Sequence, residues 1–544
     1  MVLKKTFALR QIIPYLLVLI IGLFLFKSTI TSASIYGDEW FIFWIGKSAL
    51  FNNGNILHLN VGYIPYVLEI VVFESLSRVF GYQSWPYYLL SFLTRLLVAF
   101  TLLWFLRRMK LNRAISSVAA LLFIISPIGL EATDWVRNFD SYLGLFFLII
   151  LLNLSSRLKS LKDVLVYWIL FIVAVFINTL RSPGLFIILL SSLGIHLISE
   201  KTKAAKKVYT YSSLALLVTI AILSITSVFG SQTAQLFENF SLFPFAKSIM
   251  GSIGTTIVPS RLLLLNFLSI SFLLFLWKRR LFLTLKNINT YIFSIYIISV
   301  FFITLQIFQK GDSFTNFGLI GIFFVAVLVL CGVKEYFSKD FPSLQKTMLV
   351  FLLSFSPMLI PLIRIPQIHP LNEHRYLIYS ALVVPLLVAF SLEKGSTWKG
   401  KYRNSTIVLA LVATGILIMN FWGQSKSYLE RQIQSHGSTY TNKVWSQMEE
   451  NLKGLDLNRQ KVGIILLTKK EYEPQVFNSI YFGFGFHAGV TYNIWDQSML
   501  PPSWLIVDEQ IDKSKIPSYI ISPDRKIVVL EIIGDKVARK DLKF

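Results

Sequence analysis

The chain has 544 residues, of which 54% are hydrophobic and only 15% charged, and its mean hydropathy is +0.62. So little charge cannot cover the surface of a water-soluble protein of this size. The composition therefore excludes the soluble and disordered classes and indicates an integral membrane protein. A net charge of +23 would suggest nucleic acid as a partner in a soluble protein.

Apolar runs recur along the chain, and each is long enough to cross about 30 Å of hydrocarbon. Backbone groups in lipid must form hydrogen bonds within their own segment, so we expect helices. The predicted fold is an all-α polytopic membrane protein with about thirteen transmembrane helices. In chain order they are expected near residues 11–27, 86–106, 114–130, 141–155, 164–180, 184–199, 210–229, 261–277, 290–307, 315–333, 346–363, 376–391 and 405–422.

Basic residues are concentrated in alternate loops between these spans, and the opposite loops carry far fewer. The positive-inside rule then predicts a multi-pass protein of the cell inner (plasma) membrane, with its N-terminus in the cytoplasm and its C-terminus outside. The charge is thus a topology signal, and we expect membrane lipids and no nucleic acid as partners. The basic groups are Lys4, Lys5 and Arg10; Arg107, Arg108, Lys110 and Arg113; Arg157, Lys159 and Lys162; Lys201, Lys203, Lys206 and Lys207; Lys278, Arg279, Arg280 and Lys286; Lys334, Lys339 and Lys346; and Lys394, Lys399, Lys401 and Arg403.

The first outer segment, residues 28–85, is apolar but repeatedly interrupted by charge. Within residues 63–80, Glu69, Glu74 and Arg78 recur near the helical period. This spacing favours an amphipathic helix that lies along the outer surface, instead of a further span.

After residue 422 the sequence becomes polar and helix-like to about residue 453. Short β-type runs follow at residues 462–467, 504–507, 519–521 and 527–532. The chain is therefore predicted to divide into a transmembrane domain, residues 1–422, and a small extracytoplasmic α/β domain, residues 423–544.

Acidic residues stand just outside the first and third predicted spans. Asp38 and Glu39 follow the first span, and Glu131, Asp134 and Asp140 crowd one short loop. Ionisable groups beside apolar walls are costly, and a carboxylate there can have a raised pKa and accept a proton from a hydroxyl. The alternative, which stays open, is that these are ordinary loop carboxylates in water.

Two further sets of residues leave alternatives open. Trp40 and Trp135 stand beside the acidic residues, where they could stack on a sugar or belong to an interfacial aromatic belt. His369 and His374 flank Glu373, but the spacing is too weak to predict a metal site. No metal ligand is assigned.

The ordered set of motifs resembles the GT-C superfamily of membrane glycosyltransferases, and is closest in layout to its protein mannosyltransferase and aminoarabinose transferase branches. The resemblance covers roughly the first 420 residues. It is carried by Asp38-Glu39, Tyr63-Ile-Pro-Tyr66, Phe80-Gly81, Arg95, Arg107-Arg108, Arg137-Asn-Phe-Asp140, Asn178-Thr-Leu-Arg181-Ser-Pro-Gly184 and His369-Pro-Leu-Asn-Glu373-His374-Arg375-Tyr376-Leu377.

The resemblance implies an inverting transfer of a sugar from a polyprenyl-phosphate donor to an acceptor hydroxyl at the outer membrane face. It makes Asp38 the general base, with Glu39 positioning it or the acceptor. It implies no certain cofactor and leaves a divalent metal open. The candidate substrate-binding residues are Asp140, His374 and Tyr376, which lie in the matching motifs, and four arginines whose cations could stabilise the leaving phosphate, namely Arg137, Arg95, Arg181 and Arg375. Each arginine also has a structural alternative; Arg95, for instance, could pair within the helix bundle.

The chain departs from these relatives in two ways. It has no recognisable soluble β-domain between middle spans and no tryptophan-rich acceptor motif, so the acceptor is left as an unknown glycan, lipid or protein. The rival hypotheses are a polysaccharide or lipid-sugar transporter, an O-antigen polymerase-like protein, and an inactive scaffold. Transporters typically carry buried charges near the membrane midplane, whereas the charges here are predicted to gather at one face.

Overall fold

A computed structural model describes most of the chain. The described residues are 2–35, 39–43, 45–46, 66–177, 182–200, 202–225, 242–258, 261–283, 288–308, 313–355, 374–397, 403–453, 455, 462–477, 480, 503–507, 514, 516–518, 520–521, 523 and 525–540. They form two compact units, residues 1–25, 93–133 and 138–427, and residues 26–92, 134–137 and 428–544.

Helices account for nearly all of the regular structure before residue 453. Their bounds are α1 Val2–Ser32, α2 Val67–Phe80, α3 Trp85–Arg108, α4 Arg113–Ile124, α5 Glu131–Asp134, α6 Phe139–Ser155, α7 Leu161–Ile177, α8 Ser182–Ser199, α9 Lys203–Ile225, α10 Leu242–Ile257, α11 Leu263–Leu283, α12 Ile288–Phe308, α13 Ser313–Phe337, α14 Phe341–Phe355, α15 Val383–Ser396, α16 Arg403–His436, α17 Ser438–Leu452 and α18 Glu473–Val476. Short 3-10 turns cover Val136–Asn138, His374–Leu382 and Lys470–Tyr472.

Within the described part of the chain, six helices are long and apolar enough to cross a membrane. This confirms the prediction of a helical membrane protein in its coarse form. The six segments are Ile12–Ser32, Trp85–Arg108, Val136–Ser155, Asn316–Phe337, Leu377–Ser396 and Arg403–Ser435.

Helix α10 packs against α13 so closely that their backbones touch. A Cβ added at Gly254 would overlap the carbonyl oxygen of Phe317, and one added at Gly321 would overlap that of Met250. The pairing of 254 with 317 and of 250 with 321 makes the two helices antiparallel. Glycine is required at both points because any side chain would separate the backbones.

This packing places α10 beside the N-terminal part of a helix that is long enough to span the membrane. The apolar pattern of the sequence predicts no helix between residues 229 and 261. Helix α10 does not show in that pattern because Ser248, Ser252, Thr255 and Thr256 interrupt the apolar run. All four hydroxyl side chains are buried, which a sequence pattern of lipid-facing residues does not reveal.

Lys278 corrects one detail of the predicted topology. It was counted as a loop residue, but α11 continues past it to Leu283, and its side chain is 1% exposed. Its Nζ atom donates to Glu335 Oε1 at 2.8 Å and also to the Thr347 hydroxyl, while Ser343 Oγ donates to Glu335 Oε1 at 2.8 Å. The buried charge is tolerated because an opposite charge and hydroxyl groups compensate it.

In the second unit, residues 33–35 are fixed by several long-range hydrogen bonds. Ser84 Oγ donates to the carbonyl of Ala33 at 2.7 Å, and Tyr88 donates to that of Ser34 at 2.8 Å. Ser34 Oγ also bonds Thr441 Oγ1 at 3.0 Å. The backbone that leads into the Asp38-Glu39 segment is therefore held from several sides.

The predicted amphipathic helix is present as α2. Glu74 and Arg78 form an ion pair of 3.1 Å one helical turn apart, whereas Glu69 is 4% exposed. The sequence pattern predicts that the charged residues share one exposed face of α2. In the structure they do not, because Glu69 is buried.

A four-stranded sheet follows α17, with strands β1 Val462–Thr468, β2 Ser503–Val507, β3 Lys526–Ile533 and β4 Lys536–Lys540 in the order β2-β1-β3-β4. The central strand β1 pairs in parallel with β2 and β3, and β4 is antiparallel to β3. Because β1 is covered on both faces, its sequence is a continuous apolar run.

Three of the four predicted β-type runs are strands. In the fourth run, residues 520–521 are not part of a strand, because Ile520 N–H bonds the carbonyl of Pro517 at 2.9 Å in a turn, and the Ile520 side chain belongs to the core beneath the sheet. The edge strand β4 was missed because it is charged and exposed, as edge strands tend to be.

Helix α17 is fastened to the hairpin between β3 and β4. Tyr440 donates to the carbonyl of Gly534 at 3.2 Å, and Gln447 Oε1 accepts from the Val537 N–H at 3.0 Å. Burial raises the pKa of Tyr440 to about 12, and the charge of Asp535 adds to the shift, so the hydroxyl stays protonated as a donor. Lys443 pairs with Asp535 beside it.

Candidate functional site

The predicted base, Asp38, lies outside the described residues, but its neighbour Glu39 is well described. Glu39 begins a helical segment at residues 39–43 and has no exposed surface. Its Oε1 atom accepts a hydrogen bond from the backbone N–H of Val136 at 2.5 Å. A buried carboxylate needs such partners, and here one comes from the second acidic loop.

Tyr88 and Asp134 lie close to this carboxylate in the same unit. Asp134 is 2% exposed, and the phenol of Tyr88 interacts electrostatically with both Glu39 and Asp134. We call Glu39, Trp40, Tyr88, Asp134 and Val136 the Glu39 cluster. Two acidic residues that the sequence places far apart are therefore neighbours in the fold.

Trp40 is a core residue of this cluster. Its indole N–H donates to the carbonyl of Ile35 at 3.2 Å, and its ring packs against Phe43, Tyr82 and Trp445 with centroids 5.4 to 5.5 Å apart. The ring is 3% exposed. This packing favours neither of the two roles considered from sequence, since both need an accessible ring face. Trp135 is half-buried.

Arg137 remains accessible beside the cluster. It lies in the 3-10 turn Val136–Asn138, is half-buried, and carries its guanidinium 5.4 Å from the ring centroid of Tyr66. The backbone of this turn is the same one that donates to Glu39. A guanidinium can bind an anion such as phosphate, and this one follows directly on the backbone that anchors Glu39.

Arg95 occupies the centre of a different network, in the first unit. It is 0% exposed, and its guanidinium donates to the carbonyls of Phe123 at 3.1 Å and Ser126 at 2.6 Å. It also donates to Tyr142 Oη at 2.8 Å and Thr133 Oγ1 at 3.1 Å. These contacts close the turn after α4, a task that keeps the guanidinium away from any open surface.

Asp140 lies in the first turn of α6, where a carboxylate is favoured by the helix dipole. It is 6% exposed, and its Oδ1 atom accepts from Ser141 Oγ at 3.3 Å. Glu131, in the first unit as well, is 8% exposed. The acidic loop is thus largely buried, which differs from the picture of water-solvated loop carboxylates.

The side chains of the remaining predicted residues lie outside the described part of the chain. Arg181 lies outside the described residues, as do His369 and Glu373. The backbone of His374, Arg375 and Tyr376 begins the 3-10 helix His374–Leu382, and their side chains are outside the description. Among the described residues, no three His, Cys, Asp or Glu side chains come together as a metal site.

Two tyrosines, Tyr88 in the Glu39 cluster and Tyr142 in the separate Arg95 network, were not singled out from the sequence. Tyr88 and Tyr142 each lie in an apolar helix, and each uses its hydroxyl on a backbone carbonyl, that of Gly129 at 2.7 Å in the case of Tyr142. A tyrosine within an apolar run must find a polar partner, and this is the signal that could have identified them. The N–H of Val136 is a backbone group, so its residue type does not mark it as the partner of Glu39.

Comparison with known proteins adds no family to this description. No family model matches the sequence, and no curated protein matches it either.

Proposed function

We propose that this chain is an inverting glycosyltransferase of the GT-C type, which moves a sugar from a polyprenyl-phosphate donor to an acceptor hydroxyl. The transmembrane part would cross the cytoplasmic membrane about thirteen times, with the N-terminus inside and the α/β domain outside. The observation that carries the proposal is the hydrogen bond from Val136 N–H to Glu39, which joins the two acidic segments at one place.

The chemistry needs a base that is held still beside the acceptor. Asp38 directly precedes Glu39 in the chain, and Glu39 is fixed by its bond to Val136. In the proposed step Asp38 takes the proton of the acceptor hydroxyl as its oxygen bonds to the anomeric carbon. The bond from that carbon to the phosphate oxygen breaks, and polyprenyl phosphate leaves with the electron pair.

Negative charge develops on the leaving phosphate, so cations near it lower the barrier. Arg137 is the described candidate, because it is half-buried and follows the backbone that binds Glu39. Arg181 and Arg375 stay candidates from the resemblance. Arg95 is assigned a structural role instead, because its guanidinium donates hydrogen bonds to two carbonyls and two hydroxyls.

The roles of Asp140, His374 and Tyr376 in substrate binding are part of the same proposal. The sugar, the acceptor and any divalent metal are left open by it. The acidic residues supply base and positioning chemistry from the chain itself, so no cofactor enters the proposed step.

The test is a transfer assay with purified full-length protein and a panel of polyprenyl-phosphate sugars. Asp38→Asn should lose transfer by at least about a hundredfold, the usual contribution of general base catalysis, while folding and donor binding remain. The matched control is Asp340→Asn, at an exposed carboxylate on the opposite predicted side. Equal turnover by wild type and Asp38→Asn would contradict the proposal.

One observation favours the rival transporter hypothesis. Lys278 and Glu335 form an ion pair inside the helical unit, with side chains 1% and 2% exposed, whereas the sequence analysis expected charges at one face only. Buried ionisable pairs within membrane helices often mark transport pathways. Movement of a lipid-linked sugar across proteoliposomes without sugar transfer, lost in Lys278→Met, would favour this function.

A further inference from the structure

A groove of about 660 Å³ lies among helices α1, α4, α11 and α16 of the first unit. Its walls are apolar and include Ile20, Phe24, Leu121 and Met419. Phe24 is 76% exposed and Met419 is 74% exposed. In a membrane-spanning unit, such side chains face hydrocarbon, so the groove is open to the bilayer.

One end of the groove is polar and built from a connected set of side chains. Arg261 stands just before α11, and the next residue, Leu262, has a left-handed backbone with φ of 52°. The amide of Asn266 donates to the carbonyl of Arg261 at 2.5 Å, and the amide of Asn420 donates to Asn266 Oδ1 at 3.0 Å. These bonds hold the strained turn, and with it Arg261, at the groove.

Gly423 lets the Arg261 guanidinium lie against α16. A Cβ at position 423 would overlap the terminal nitrogen of Arg261. Trp422 also lines the groove, with its ring stacked on Phe24 at a centroid distance of 5.9 Å. The cation is therefore seated on the helix surface above an apolar channel.

Among the described residues that line this groove, Arg261 is the one with a charge, and no ion pair to it occurs within that part of the chain. A guanidinium at a membrane interface is matched by phosphate, which it binds through paired hydrogen bonds. A lipid supplies that phosphate at the end of an acyl chain.

We propose that this groove binds a bilayer glycerophospholipid, with its phosphate at Arg261 and one acyl chain along the apolar walls. Among the residues that the structure describes, those that line the groove include one arginine and one asparagine but no carboxylate and no histidine. No described lining residue has a side chain suited to take or give a proton, which fits a lipid that is held without reaction. This favours a bilayer phospholipid over the polyprenyl-phosphate donor, and it does not depend on the proposed transfer activity.

The experiment is native mass spectrometry of the full chain in detergent, titrated with dioleoyl-phosphatidylglycerol. Dioleoylglycerol serves as the probe with the same chains and no phosphate. We expect phosphatidylglycerol to bind wild type at least about tenfold more tightly than dioleoylglycerol does. Arg261→Gln should remove this preference, and Gly423→Ala should weaken it by displacing the guanidinium.

The matched control is Arg403→Gln, which removes the same charge from the opposite end of α16. It should leave the preference unchanged, and size-exclusion profiles should confirm that all three variants fold. Three results would overturn the proposal: equal binding of the two lipids to wild type, equal losses in Arg261→Gln and Arg403→Gln, or full displacement of phosphatidylglycerol by equimolar polyprenyl phosphate.

Discussion

The carboxylate of Glu39 accepts a hydrogen bond from the backbone N–H of Val136, 97 residues further along the chain, at 2.5 Å. Glu39 has no exposed surface, so this bond is made away from water. Bonds of a carboxylate to N–H donors are among the stronger hydrogen bonds in proteins. The contact links residues 39–43 to the acidic loop that precedes α6.

Replacement of Glu39 tests whether this link is structural. Glu39→Ala leaves the Val136 N–H buried without its acceptor, which should cost about 1–3 kcal/mol. Glu39→Gln keeps an oxygen at the same place and should cost less. Thermal unfolding in detergent should therefore rank wild type above Gln and Gln above Ala. Equal melting temperatures for the two variants would mean that the bond contributes little.

Arg95 should contribute to the stability of the fold and not to the affinity for the polyprenyl-phosphate sugar. Arg95→Met leaves the carbonyl of Ser126 without its donor, at about 1–3 kcal/mol for a buried acceptor, whereas the carbonyl of Phe123 keeps the backbone N–H of Ser126 at 3.2 Å. The control is Arg78→Met, at an exposed ion pair worth under about 1 kcal/mol. Melting temperatures measure the difference. A stable Arg95→Lys with a raised KM for the donor would instead restore the ligand role inferred from sequence.

The Lys278 and Glu335 pair should respond unequally to single and double replacement. Lys278→Met leaves a buried carboxylate uncompensated, at about 3–5 kcal/mol, whereas the double variant with Glu335→Leu should be close to neutral. The comparison pair is Lys346 and Glu393, also 2.8 Å apart but with side chains 19% and 29% exposed. A double-mutant cycle on melting temperatures measures both. Additive losses at the buried pair would refute the coupling.

Close packing of α10 on α13 predicts a contrast between two glycines of the same helix. Gly321→Ala must push the backbone of Met250 away, which should cost about 1–3 kcal/mol through overpacking. Gly318→Ala meets nothing within 4 Å and should be neutral or slightly stabilising. Thermal unfolding of the two variants side by side checks this, and similar melting temperatures would argue against backbone contact.

The attachment of α17 to the sheet should weaken in acid. A hydrogen bond from Lys443 lowers the pKa of Asp535, so its ionised form is favoured in the folded state. The resulting stability is present above the unfolded value of about 3.9 and is lost as pH falls through the lower folded pKa. Exchange of the Val537 amide, corrected for intrinsic rate, should rise in this window. Asp535→Asn should abolish the pH dependence of this exchange rate. The same pH dependence in wild type and variant would contradict the prediction.

Several elements could be predicted because their signal is local. The β1 run is apolar throughout and buried on both faces, and α2 was recognised from its spaced charges. Other elements were missed because their sequence is locally ambiguous. Helix α10 carries four buried hydroxyl residues that weaken its apolar pattern, and β4 is a charged edge strand.

At the candidate site, the sequence singled out residue types but not their partners. Glu39, Arg137 and Arg95 all looked alike as ionisable groups near apolar runs. In the fold, Glu39 is anchored by a backbone N–H, Arg137 stays half-buried beside an aromatic ring, and Arg95 is enclosed by carbonyls. Their different environments decide which of them can meet a ligand.

Hydropathy and the order of charges identify a helical membrane protein, because they are properties of the chain that need no partner. It is the folded packing that brings the N–H of Val136 to Glu39, Gly254 to the backbone of Phe317, and Arg261 to the end of an apolar groove. In each case the two groups are dozens of residues apart, and no local sequence pattern encodes which distant group becomes the partner. Tertiary packing determines the partner, because buried polar groups are stable only where they form hydrogen bonds.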